Sequence, residues 1–250
     1  MTDTQHSEQN TGTLYGIGVG PGDPELIPIK AVRIMQRVDC IFSACSSKND
    51  YSMATRIAWP HLPRDTPLKL LPFPMSLDQE VASRAWHEHA DTIIAELDSG
   101  KDAAFLTLGD PLTYSTYGYL LRIIQKKAPH TKIQTVPGIT SYQAGAAAVN
   151  TPLVEGEENL VLLSGVKGGD NLRRIAKESD NVVFLKAYKH LDDIVEALSE
   201  NGLKRCFGVV RCGFPEEEVF TDLQQMKHQR PKYWSLVLAK HGNDGESVNR

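Results

Sequence analysis

Thr13-Leu-Tyr-Gly-Ile-Gly-Val-Gly-Pro-Gly-Asp-Pro-Glu-Leu26 reads as a strand that runs straight into a glycine-proline turn. Its outline is that of a nucleotide-binding loop, yet it fits neither standard fingerprint. A dinucleotide site requires G-x-G-x-x-G, and after Gly16 and Gly18 the third place holds Pro21. A P-loop requires G-x-x-x-x-G-K-[ST], and no Lys follows these glycines. Further on, Leu106-Thr-Leu-Gly-Asp-Pro111 repeats the theme, again ending a strand on Gly-Asp-Pro. Two such turns without a phosphate-binding signature imply a ligand held by close approach of the main chain, which only glycine permits.

Outward from these turns, apolar runs at 14–19, 40–42, 103–108 and 132–136 each precede a turn and a helix-like pattern. Asp23 as N-cap, Pro24 at the first helical position and Glu25 in the first turn predict a helix start. Its expected buried stripe is Leu26, Ile29, Val32, Met35 and Val38. Further helices are expected at 76–97, 117–127 and, Ala-rich, 139–149. Such alternation predicts an α/β protein with parallel sheet and crossover helices. The charged, turn-rich segment 151–158 reads as a linker between domains at 13–150 and 159–242. The second domain repeats the pattern, with strands at 160–164, 182–186, 206–211 and 233–239 and helices at 171–178 and 191–200. Residues 45–74 read as one long, proline-bearing loop. The polar ends, 1–12 and 243–250, read as disordered tails.

With 250 residues, 41% of them hydrophobic, the chain can bury one large core or two smaller ones. A net charge of −4 and no Lys/Arg run argue against nucleic acid as partner. No apolar stretch approaches the ~20 residues that span a bilayer, so no membrane association is expected. Cys40, Cys45, Cys206 and Cys212 form no C-x-x-C pair and no disulfide framework, which suits a reducing cytoplasm. The histidines are scattered, and no metal site is expected.

The segment 16–26 resembles the N-terminal signature of the tetrapyrrole methylases, S-adenosylmethionine-dependent enzymes of sirohaem and cobalamin synthesis. Ala104-Phe-Leu-Thr-Leu-Gly-Asp-Pro-Leu-Thr-Tyr-Ser-Thr-Tyr117 looks like the second family motif, in the form used by precorrin-2/cobalt-factor II C(20)-methyltransferases. Phe73-Pro-Met-Ser76, Trp86, Val136-Pro-Gly-Ile-Thr-Ser-Tyr142, Val209-Val-Arg-Cys-Gly-Phe-Pro215 and Tyr233-Trp-Ser-Leu236 resemble the same branch. The likeness spans residues 13 to about 241. It implies a two-domain tetrapyrrole methylase fold with mixed, mostly parallel sheets, a cleft between the domains, and a homodimeric assembly. The donor would be S-adenosyl-L-methionine; the acceptor would be C-20 of precorrin-2 or cobalt-factor II, any cobalt arriving inside the substrate. One departure is Ser43-Ala-Cys-Ser-Ser-Lys48, where relatives commonly carry an aliphatic or aromatic residue and Pro.

By family position, Pro21, Leu108, Gly109, Asp110, Thr113, Thr140 and Ser141 are expected to line the donor site, with Asp110 near the donor's ammonium. Lys186, Tyr188, Arg211 and Cys212 are expected on the adenosine side. Gly18, Gly20, Gly22 and Asp23 are expected to face the tetrapyrrole. Its carboxylates call for Arg forks, which Arg173 and Arg174 can offer alongside Lys167, Lys189 and Arg211. Tyr114 and Tyr117, with the hydroxyl of Ser115, are candidates for proton transfer. Plainer roles stand beside these: N-capping explains Asp23, a turn explains Asp110, packing explains Tyr117, and solvation explains the surface charges. Rival functions are methylation of uroporphyrinogen or another corrin carbon, and non-catalytic tetrapyrrole carriage.

Overall fold

The structure is a computed structural model that describes residues 11–46, 51–74, 78–175, 179–228 and 233–241. Residues 1–10 and 243–250 of the expected tails, the helix start at 76, the helix end at 178 and residues 47–50 of the long loop lie outside these; Gly12, expected in the first tail, is instead buried, its amide donating to Leu97 O at 2.8 Å. The chain divides into two compact units, Met1–Thr140 and Ser141–Arg250.

In the first unit, strands β1 (Thr13–Gly18), β2 (Cys40–Ser46), β3 (Leu68–Phe73), β4 (Ala103–Thr107) and β5 (Lys132–Val136) form a sheet in the order β3-β2-β4-β1-β5. Every pairing is parallel, so all five strands end at the same edge of the sheet. Helices α1 (Ile29–Met35), α2 (Met53–Ala58), α3 (Gln79–Asp98) and α4 (Tyr117–Lys127) make the crossovers. Leu14, Phe42, Phe105, Ile93, Leu97, Tyr117, Leu120 and Ile124 form one core cluster between the sheet and α3 and α4. Burying each such aliphatic or Phe side chain stabilises the fold by roughly 1.5–3 kcal/mol.

The first helix departs from expectation. Asp23 Oδ1 does accept from the Glu25 amide at 2.8 Å, but it caps only a 3-10 turn, Pro24–Leu26. Pro28 has no N–H to carry the helix on, and it holds the preceding Ile27 extended at ψ 128°. The α-helix therefore restarts at Ile29, which is 70% exposed, and burial falls on Ile27, Ala31, Ile34, Met35 and Val38. The supposed loop 45–74 is also corrected, because it holds α2 and β3. Ser52 caps α2, accepting from the Thr55 amide at 3.4 Å. β3 tolerates Pro72 because it is an edge strand.

In the second unit, α5 (Ser141–Ala148) precedes β6 (Leu160–Ser164), α6 (Asp170–Ile175), β7 (Asn181–Leu185), α7 (Leu191–Glu200), β8 (Arg205–Val210), β9 (Glu218–Phe220), α8 (Leu223–His228) and β10 (Ser235–Lys240). The sheet order is β6-β7-β10-β8-β9. β6 and β7 are parallel, whereas β10 runs antiparallel between β7 and β8 and β9 runs antiparallel to β8. Leu172, Phe184, Ile194, Leu198, Met226 and Val237 pack one face. Val183, Val209, Leu236 and Ala146 pack the other.

That second face brings α5 into this unit, ahead of the boundary expected after residue 150. Its Gly145 lets the helix approach closely, since a Cβ there would stand 3.3 Å from Leu236 Cδ1. The segment expected as a linker is tied down at Lys240, whose Nζ donates to the Pro152 carbonyl at 2.9 Å and pairs with Glu155 and Glu158. No described helix is long and apolar enough to cross a membrane.

Candidate functional site

The turns after β1, β4 and β5 meet because those strands are neighbours, with Gly18 in register with Thr107 and Ile17 with Val136. Gly18, Gly109 and Gly138 form the junction. A Cβ on Gly18 would stand 2.5 Å from the Gly109 carbonyl oxygen and 2.6 Å from the Gly138 nitrogen. A Cβ on Gly138 would overlap the Gly109 oxygen and lie 2.8 Å from Gly18 Cα. Neither position has room for a side chain. Above them, Gly20 and Gly109 pair as an isolated antiparallel bridge, Gly109 N donating to Gly20 O at 2.7 Å and Gly20 N to Gly109 O at 3.3 Å. Both hold positive φ, +78° and +67°, which glycine adopts without strain. The turn leading into the first Gly-Asp-Pro corner is thus bonded, through Gly20, to the first residue of the second.

Asp110 fastens the third turn. Its Oδ2 accepts from the Gly138 amide at 3.1 Å, and its Oδ1 accepts from the Leu112 amide at 2.9 Å and the Thr113 hydroxyl at 3.2 Å. Both oxygens hold the turns in place within the protein. Gly109 has an open side: the nearest atom to a Cβ there would be the Ile139 oxygen, 4.0 Å away. Pro21, Gly22 and Thr140 are buried around the junction, Leu108 and Thr113 half-buried, and Ser141 opens α5. Asp23 caps its turn. Gly138 is the residue that sequence reasoning missed, though its Pro-Gly pair directly after a strand was visible.

The two tyrosines separate. Tyr114 sits at φ +51° and is 52% exposed. Tyr117 is 0% exposed in the core, so packing is its role and direct proton transfer is not. Just ahead of α4, whose N-cap Thr116 makes no side-chain bond, Ser115 Oγ accepts from the Tyr117 amide at 3.1 Å.

In the second unit, Lys186 follows β7 and Arg211 follows β8, the strands that flank β10. Both are left-handed, at φ +60° and +53°. The Ala187 amide donates to Ser235 O at 3.0 Å and the Arg211 amide to Trp234 O at 2.9 Å, which holds these conformations. Tyr114, Lys186 and Arg211 are three of the four non-glycine residues with positive φ among the described ones. Such backbone strain costs about 1–3 kcal/mol per residue and gathers where function over-determines structure. The Arg211 guanidinium lies 5.9 Å over Trp234 and 3.6 Å from Glu216. Tyr188 packs edge-on against Tyr233 at 5.3 Å.

Two expected site residues have structural roles in this unit. Cys212 is 4% exposed, and burial, with Glu217 adding, pushes its thiol up to about 12, so it is a core residue. Arg173 is already engaged: it bonds Glu200 and Asp193, each at 2.7 Å, and Asp170 at 3.5 Å. Those carboxylates leave it no free fork for a substrate. Arg174 is exposed and bonds Asn171 Oδ1.

The Gly169 amide first, and Arg173 second, hold the Asp193 carboxyl below the usual carboxylate range. Its contribution to stability is therefore complete above the unfolded value, about 3.9, and lost as pH falls through the lower folded value. Asp193→Asn should flatten the acid limb of urea-denaturation stability measured from pH 6 down to pH 3. An unchanged acid limb would show that this cluster is not what acid breaks. Among the described residues, no three His, Cys, Asp or Glu side chains converge to hold a metal ion.

The sequence profile of the tetrapyrrole (corrin/porphyrin) methylases matches residues 13–227. A cobalt-precorrin-2 C(20)-methyltransferase of Salmonella typhimurium is 31% identical over 229 residues, 91% of this chain and 95% of that one. A precorrin-2 C(20)-methyltransferase of Sinorhizobium is 28% identical over 242 residues, 93% of this chain and 97% of that one. In three dimensions, uroporphyrin-III C-methyl transferase from Thermus thermophilus, complexed with S-adenyl homocysteine, superposes with a TM-score of 0.64 at 21% identity, covering 92% of each chain. A junction of bare main chain at three parallel strand ends and a match along most of the sequence agree: the chain belongs to the tetrapyrrole (corrin/porphyrin) methylases.

Proposed function

We propose that this protein transfers a methyl group from S-adenosylmethionine to C-20 of a precorrin-2-type tetrapyrrole, metal-free or carrying cobalt, in corrin synthesis. The observation that carries the proposal is the bonded pair of turns at Gly20 and Gly109, in a chain whose relatives bear names for reaction at C-20. The donor fits this place. Gly109 exposes main chain on an open side, and bare Gly18 and Gly138 let the backbones of the three turns close together beneath it. S-adenosylmethionine, when bound, supplies a methyl group on a sulfonium that leaves as a neutral thioether, so no strong acid is required.

The work left to the chain is alignment. Gly109, with Leu108 beside it, holds one side of the donor, and Asp110 keeps the Gly138 turn fixed against it. Holding two reacting carbons roughly 3–3.5 Å apart in line is worth about 7–11 kcal/mol. The C-20 centre must lose a proton after attack. Tyr114, 52% exposed, can relay that proton, its oxygen taking it as its own hydroxyl proton passes to solvent water, and its left-handed backbone fixes where the side chain departs. A homodimer in the cytoplasm completes this reading, carried over from the family likeness alone.

The test is anaerobic incubation with the donor and, side by side, precorrin-2 and its cobalt complex, read by mass spectrometry. One added methyl on at least one acceptor is expected, with the position read by NMR as C-20. Methylation of uroporphyrinogen instead, or tetrapyrrole binding with no donor binding, would overturn the reading.

A further inference from the structure

Gly16 lies on β1 two residues before the junction, and its register partners are Phe105 on β4 and Thr135 on β5. A Cβ on Gly16 would overlap Tyr117 Cζ and its hydroxyl, so the phenol ring presses on bare main chain. From there its hydroxyl reaches Thr135 Oγ1 at 3.1 Å, and its ring stands 5.9 Å from that of Phe105. The Tyr117 amide donates to Ser115 Oγ, which shares a 2.7 Å hydrogen bond with Thr107 Oγ1 on β4. Thr107 is in turn the register partner of Gly18. One residue thereby touches a transverse row across β4, β1 and β5 and is tied to the row above it.

We infer that Tyr117 is a positioning residue, which sets the spacing of the three strands and so the seat formed by Gly18, Gly109 and Gly138. The inference rests on the reading of that junction as the donor's seat. Its physical basis is the place of β5 at the sheet's edge, with β1 as its one neighbour. An edge strand lacks a second ladder of hydrogen bonds, yet this one carries the Gly138 turn. The Tyr117–Thr135 bond provides a lateral tie to β5 from outside the ladder. Burial raises the phenol above its usual pKa, which keeps it neutral and a hydrogen-bonding group.

Tyr117→Phe keeps the ring on Gly16 and deletes the tie. S-adenosylhomocysteine affinity, measured by calorimetry, is expected to fall about tenfold, the scale of one buried hydrogen bond lost with its partner left behind. Amide exchange at residues 138–140 should accelerate while that of β4 holds. The pH profile of kcat should keep its shape. Thr135→Val should repeat the loss from the other side, and Tyr117→Phe with Thr135→Val should lose no more than either alone, because all three variants remove the same bond.

Gly109→Ala is the reference variant. If it binds S-adenosylhomocysteine like the wild type, the seat itself is misplaced. If it loses binding while Tyr117→Phe does not, the positioning role alone is overturned. A shifted pH profile in Tyr117→Phe would overturn it too, because a spacer carries no titrating step.

Discussion

Alanine at Gly138 should abolish donor binding while leaving most of the fold in place. The added methyl group would overlap the Gly109 carbonyl oxygen and crowd Gly18. All of these are main-chain atoms on three hydrogen-bonded strands, so no side chain can swing aside. Either the turn after β5 lifts away, or the Gly20–Gly109 bridge breaks. Overpacking of this kind typically costs 1–3 kcal/mol, and rigid backbone neighbours put it at about the upper end. The loss should fall on the site: S-adenosylhomocysteine affinity down more than about a hundredfold, with a cooperative thermal transition retained at lower temperature. Wild-type affinity in Gly138→Ala would mean that the three turns do not form the seat.

Asp110→Ala should produce the next largest effect, by a different route. Its carboxylate is the bolt between the turns after β4 and β5. Removing it frees the Gly138 amide, the Leu112 amide and the Thr113 hydroxyl together. Hydrogen bonds to a charged group contribute about 1.5–3 kcal/mol each when their partners cannot reach water. Here the site is partly open, so we expect a total loss of about 2 kcal/mol in stability and at least about a tenfold loss of donor affinity. Asp110→Asn separates the two halves of the bolt. Its amide oxygen can still accept from Leu112, but its NH2 cannot accept from Gly138, so affinity should suffer more than stability. If Asp110→Asn were equal to wild type in both, charge on the donor's ammonium and the Gly138 tie would both be excluded as its role.

Much of the framework was legible in the sequence for a simple reason. Runs such as 14–19 and 103–108 are largely apolar and closed by glycine, so they announce a buried strand without reference to the rest of the chain, while 132–136 alternates polar and apolar residues up to Pro137, as a half-exposed edge strand does. Shorter pieces gave no such signal. A six-residue helix (α2) and a three-residue strand (β9) are too short to show a period. Pro28 was legible but outweighed by the stronger start signal at Asp23 and Pro24.

The site divides along the same line. That glycines at 18, 20 and 109 matter could be read locally. That Gly20 bonds Gly109, that Asp110 clasps Gly138, and that Tyr117 is sealed under Gly16 all depend on β4 lying beside β1. The chain between those strands is more than eighty residues long, and only tertiary pairing closes it. Arg173 misled for the related reason that its partners Asp193 and Glu200 come from the next helix but one element along the chain.

The position of β10 has a consequence for how the polypeptide matures. The first sheet is complete once β5 has been synthesised, so that half can close while translation continues. The other half waits for its middle: until residues 235–240 leave the ribosome, β7 and β8 have no partner between them. A stop codon at position 235 would remove a keystone rather than a fringe, and nascent chains of that length should be the ones chaperones hold longest.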